Sequence, residues 1–121
     1  MTVTLNEPAY RYARQLIEDR CYVLDHRDEW SEHQASTQQE NEFIERHGIG
    51  EYAQWHLGID DEMPEERKAR YKVPYGDFEN VHRCGVLAAE ARAGQRKYYD
   101  IETAAAHLHA SLDALRSPTH H

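Results

Sequence analysis

Residues 75–95, YGDFENVHRCGVLAAEARAGQ, hold a run of small apolar residues preceded by a Glu-x-x-His pair and a cysteine. Asp77 suits an N-cap and Gly94 a C-terminal stop, so the stretch reads as one helix. Small residues at Gly85, Ala88 and Ala89 would admit a close neighbour. The nearest candidate follows at once: behind an Asp100 cap, Ile101, Ala104, Ala105, Leu108, Leu112 and Leu115 recur with a 3.6-residue rhythm. Two helices with a short connection form an antiparallel αα-hairpin.

Working outward, Tyr71–Tyr75 reads as extended, because Pro74 bars helix at Val73. Pro64 followed by Glu65 and Glu66 reads as a helix start that continues through Arg70. Before it, EYAQWHL ahead of Gly58 reads as a short helix. A further helix runs to His47, with Ser36 or Thr37 as its cap and Gly48 just past its end. Residues 25–39 are polar and irregular around Trp30. The first helix runs from Glu7 to Leu24, with Pro8 in its first turn. Cys21–Leu24 reads equally as a short strand or a last buried turn. The expected fold is therefore all-α: four to five helices, a C-terminal αα-hairpin and one extended segment before the penultimate helix. A chain of 121 residues fits a single helical domain, with residues 117–121 as a frayed tail.

The chain is 40% hydrophobic and 30% charged, with a mean hydropathy of −0.93. A core this lean raises the prospect of a partner subunit, and Tyr10, Tyr12, Leu16 and Ile17 offer surface for self-association. The net charge is −8, and residues 1–72 carry most of it, with 16 acids against 9 basic residues. Such charge repels a phosphate backbone, and Arg92, Arg96 and Lys97 are too few to offset it. Nucleic acid is thus an unfavoured partner. No signal peptide and no apolar run of membrane-spanning length is present. Cys21 and Cys84 show no Cys-x-x-Cys spacing, so the expectation is a cytoplasmic chain with reduced thiols.

The chemistry-bearing residues are sparse. Glu79 and His82 stand i, i+3 on the expected helix and could share an ion. Di-iron bundles use that spacing, but they require a second such pair, and none exists. A mononuclear site would add His56 or His47 to Glu79 and His82. Cys84 reads as a small buried hydrophobe. On a helix, Cys84 and His82 face apart as i, i+2, which leaves His56 as a possible partner for the thiol. His107 and His109 likewise face apart, whereas His109 and Asp113 suit a surface pair. No cofactor signature is present, and none is expected.

Aromatic residues gather near the same segments. Tyr52, Trp55, Tyr71, Tyr75 and Phe78 could close one end of a core. The less common arrangement is a groove lined by these rings, with His56 and Arg70 at its mouth.

The words Trp55-His56-Leu57-Gly58 and Pro74-Tyr75-Gly76-Asp77-Phe78, followed by Val81-His82-Arg83, resemble segments of a family of small uncharacterised bacterial proteins, largely actinobacterial. The resemblance spans about Asn41 to Leu115. It implies an intracellular bacterial protein and carries no activity, ligand or catalytic residue.

Two functions stand against each other on these residues. One is a non-enzymatic binding or adaptor module whose aromatic groove takes a protein partner or a small ligand. The other is a metal-assisted or acid–base enzyme centred on His82 and Glu79, with Cys84 or His56 in reach. A small nucleic-acid-linked regulator is a third, disfavoured by charge. The absent catalytic signature favours the first.

Overall fold

The computed structural model of the protein describes residues 3–116. The expected tail at 117–121 lies outside them. Helix α1 (Glu7–Glu18) follows strand β1 (Val3–Leu5) and leads to β2 (Tyr22–Val23). A 3-10 turn (Arg27–Glu29) runs into the single-turn α2 (Trp30–His33). Then come α3 (Thr37–His47), α4 (Ile49–Ala53), β3 (His56–Asp60), a 3-10 turn (Lys68–Arg70) and β4 (Tyr71–Pro74). The chain closes with β5 (Val81–His82), α5 (Arg83–Arg96) and α6 (Tyr99–Arg116).

The all-α expectation is overturned, because among the described residues six helices are joined by two small sheets. One is antiparallel, in the order β1-β3-β4, and the other is the parallel pair β2-β5. The sequence concealed the central strand for a physical reason. In β3 the residues His56, Leu57, Gly58 and Asp60 are all buried. A strand covered on both faces shows no alternation, so His56 and Leu57 are absorbed into the helical reading of EYAQWHL. The helix expected from Pro64 does not form. Arg70 Nη1 donates to the Met63 carbonyl (2.8 Å) and the Tyr71 hydroxyl donates to the Glu65 carbonyl (2.8 Å), tying the segment as a loop. Only a few residues separate it from β4, too few to repay helix nucleation.

The C-terminal hairpin is present. Helix α5 buries Cys84, Val86, Leu87, Ala89 and Ala93 against Ile101, Ala104, Ala105, Leu108 and Leu112 of α6. Leu115 is exposed. Helix α5 runs past Gly94 and stops at Lys97, which adopts the left-handed conformation. On the other side of α6 lies α1, burying Ala9, Ala13 and Ile17. Ser36 caps α3 in a reciprocal capping box with Gln39. The doubtful Cys21–Leu24 segment resolves as strand β2. Among the described residues, no helix is long and apolar enough to cross a membrane.

The largest departure concerns where α5 begins. It starts at Arg83, not Asp77, because Val81 and His82 extend beside β2 in parallel register. Asp77 instead organises a turn: its Oδ1 accepts the backbone N–H of Glu79 (3.0 Å) and Asn80 (2.8 Å). Gly85, in the first turn of α5, meets the carbonyl of Tyr75 and the ring of Trp30; an added Cβ would lie 2.6 Å from the former and 2.8 Å from the latter. Gly85→Ala should therefore push α5 from its seat. The expected loss is about 1–3 kcal/mol, read as a lower urea midpoint.

Candidate metal centre

Parallel pairing of β2 with β5 aligns Tyr22 with Val81 and Val23 with His82. Two residues further along each chain stand Asp25 and Cys84. The strand register thus sets Asp25 beside the start of α5, where its Oδ1 accepts the Cys84 backbone N–H at 2.7 Å. Its Oδ2 accepts from His82 Nδ1 at 2.7 Å and from His33 Nδ1 at 2.8 Å. His33 arrives from α2, and its Nδ1 lies 3.5 Å from Cys84 Sγ. The rings of His33 and His82 lie 4.9 Å apart. Asp25, His33, His82 and Cys84 thereby offer one carboxylate oxygen, two imidazole nitrogens and one sulfur, all within 4.8 Å of one another.

These four groups differ in access. The side chains of Asp25 and His82 are 5% and 7% exposed and Cys84 is fully buried, whereas the His33 side chain is 31% exposed. His33 and His82 form the floor of a cleft of about 620 Å³. Its walls include Phe43 and Arg46 from α3, and Phe78 and Glu79 from the Asp77 turn. Phe43 and Phe78 stack at 4.3 Å, and Phe78 takes a left-handed φ of 73° to place its ring there. A bulky residue adopts that conformation only where its surroundings impose it. The imposing contacts are the Asp77 turn and the Phe43 ring.

Beyond the four groups, Asp77 Oδ2 accepts from His82 Nε2 at 2.7 Å. Both ring nitrogens of His82 therefore face carboxylates, and both are donors. Burial disfavours the imidazolium, but the hydrogen bonds and charges of Asp77 and Asp25 outweigh it and raise the His82 pKa. Burial likewise acts against the ionised aspartates. For Asp25, hydrogen bonds from His82 and the Cys84 backbone prevail; for Asp77, those from His82 and the Asn80 and Glu79 backbones do. Both aspartate pKa values fall. The Cys84 thiol is driven well above its ordinary value, first by burial and then by Asp25. With no cation beside it, this sulfur stays protonated and is a poor nucleophile.

The residues singled out in the sequence fall in three places. His82 and Cys84 converge, although helical spacing sets them apart, because His82 belongs to a strand and Cys84 to the helix after it. Glu79 does not join them: it sits on the cleft wall, outside the ligand cluster. His56 is also elsewhere. It is buried in β3, its Nδ1 bonds the Tyr52 carbonyl at 2.8 Å, and burial lowers its pKa to about 4. A neutral interior histidine of this kind serves packing. The aromatic residues mostly fill the interior as well. Tyr52, Trp55 and Tyr75 are buried, with Trp55 and Tyr75 stacked at 5.6 Å. Tyr71 and Arg70 tie the loop before β4, so of the expected groove residues only Phe78 lines the cleft.

Asp25, His33 and Asp77 in its present role went unseen in the sequence. No local spacing signals them, because they reach His82 and Cys84 only through tertiary pairing.

No family model, no curated protein and no solved structure matches the chain. The chemistry of the site rests on its geometry.

That geometry fixes a dependence of stability on pH. The raised pKa of His82 contributes stability in full below its usual 6.5, lost as pH rises through the folded value. The lowered pKa values of Asp25 and Asp77 contribute above 3.8, lost as pH falls through the folded values. Metal-free protein should thus lose stability between about pH 5 and about pH 9, and the loss should be smaller in Asp77→Asn. Urea unfolding at the two pH values measures it.

Proposed function

We propose that the protein is a mononuclear metal protein that holds Zn2+ through Asp25, His33, His82 and Cys84 at the floor of the cleft. The observation that carries this reading is the convergence of four ligand-type atoms of mixed hardness from three separate stretches of chain. Two imidazoles, a thiol and a carboxylate form a donor set suited to zinc or ferrous iron rather than to calcium or magnesium. Metal–sulfur and metal–nitrogen bonds of about 2.3 and 2.0 Å give a tetrahedral edge of about 3.5 Å. Cys84 Sγ and His33 Nδ1 already stand 3.5 Å apart. The imidazole-to-carboxylate contacts of 2.7 and 2.8 Å are shorter than the corresponding edge. Loading would spread them by about half an ångström as the two shared protons leave.

Asp77 supports the same reading as an outer carboxylate. By accepting the Nε2 proton of His82 it directs Nδ1 toward the other ligands, the arrangement that metal-bound histidines commonly show. The two free thiols suit a reducing compartment.

One observation favours a second reading. Among the described residues, no buried side-chain nitrogen or oxygen lacks a hydrogen-bond partner. The cluster is therefore also self-sufficient as a clamp of ion pairs, without an ion. An aromatic-groove adaptor has less support, because most of its rings lie in the core.

Zinc titration by calorimetry separates the two. The metal reading expects one site per chain, a marked loss of affinity in Cys84→Ala and His82→Ala, and none in His107→Ala on the exposed face of α6. At zinc one hundred times the dissociation constant, stability should rise by about 2.7 kcal/mol. The absence of zinc uptake by the wild type would leave the clamp.

A further inference from the structure

Building on the metal reading, we infer that His33 is an exchangeable ligand, and that the position it covers takes small neutral nitrogen or oxygen donors from the cleft in preference to anions. Three of the four ligands belong to the packed interior. Cys84 opens a core helix, His82 lies on β5 with its backbone N–H bonded to the Tyr75 carbonyl (3.2 Å), and Asp25 accepts the Cys84 N–H while its carbonyl accepts from Arg83 Nη1 (3.2 Å). His33 differs in each respect. It ends a helix of four residues that buries none of them and packs chiefly on α5 and the preceding 3-10 turn. Its side chain is the most accessible of the set and lines the cleft. A rotation of this side chain toward solvent removes one ligand without disturbing the core. It uncovers the ion toward a space of about 620 Å³, ample for a small donor. A metal keeping three protein ligands and one accessible position has the layout of catalytic rather than structural zinc.

Charge selects what enters. The carboxylate of Asp25 and the thiolate of Cys84 neutralise a divalent ion between them. The cleft carries Glu32, Glu42, Asp77 and Glu79 against a single arginine, Arg46. An incoming anion meets a neutral centre through a negative approach, so a neutral amine, heterocycle or hydroxyl donor has the advantage.

Cobalt-loaded protein reports this in its visible absorption. Pyridine, neutral at pH 8, should shift the spectrum of the wild type. In His33→Ala it should bind about tenfold or more tightly, because no imidazole has to leave first. His33→Gln should show the same order if removal of the ring loosens α2. Azide should require higher concentrations than pyridine in all three proteins. A spectrum of His33→Ala untouched by pyridine, or loss of cobalt from that variant as complete as from Cys84→Ala, would make His33 a permanent ligand of a closed site and overturn the inference. Azide binding as tightly as pyridine would overturn the charge argument. If the wild type takes up no cobalt, the metal reading itself falls, a result distinct from the others.

Discussion

The carboxylate of Asp25 is the contact on which the rest converges. One oxygen holds the first turn of α5 through the Cys84 backbone, and the other holds two imidazoles. The bonds to His82 and Cys84 cross 57 to 59 positions of sequence between β2 and the β5–α5 junction, and the bond to His33 fastens α2. Charge-assisted bonds of this length, buried from solvent, are among the stronger polar interactions a protein makes. They also have a cost, since a buried carboxylate without its partners would be severely destabilising. Hub and partners are thus interdependent. The parallel pair β2–β5, only two residues per strand, acquires its meaning from what it sets side by side.

The same dependence explains what the sequence disclosed. The hairpin of α5 and α6 was legible because both helices bury a stripe that recurs at helical period, and the Ser36 cap because a local motif specifies it. The extended Tyr71–Pro74 segment followed from Pro74 alone. The sheets were not legible. In β3 burial on both faces removes alternation, and β2 and β5 are too short to show any. On a helix through Val81 and His82, His82 and Cys84 face apart and Glu79 is the natural partner of the imidazole. The true partners, Asp25, His33 and Asp77, are joined to it by tertiary pairing that no local spacing encodes. Asp77 does accept backbone N–H groups, as its sequence context implies, but at a turn rather than a helix start.

Around the cluster the backbone departs from relaxed geometry. Phe78 and Val73 both adopt positive φ, at 73° and 63°, and Val73 is β-branched. Such residues raise the energy locally and persist where packing over-determines them. Phe78 sits in the wall of the cleft and Val73 in β4, whose neighbour Tyr75 supplies the carbonyl that receives both the His82 N–H and the close approach of Gly85. The strained positions thus border the segment that seats β5 and the first turn of α5. Elsewhere in the hairpin, His109 bridges Glu90 and Asp113 at 2.9 Å, and Arg83 reaches Asp113 at 2.7 Å, fastening the far side of α5 to α6. The helix that presents Cys84 is anchored along its length.

The wide separation of Asp25 from His82 along the chain bears on biosynthesis. During translation the first thirty-odd residues emerge long before their partners, and β2 then has no strand to lie against. Contacts this distant in sequence form late and slow the search for the native state. The cluster therefore cannot assemble before residues 82–84 have left the ribosome.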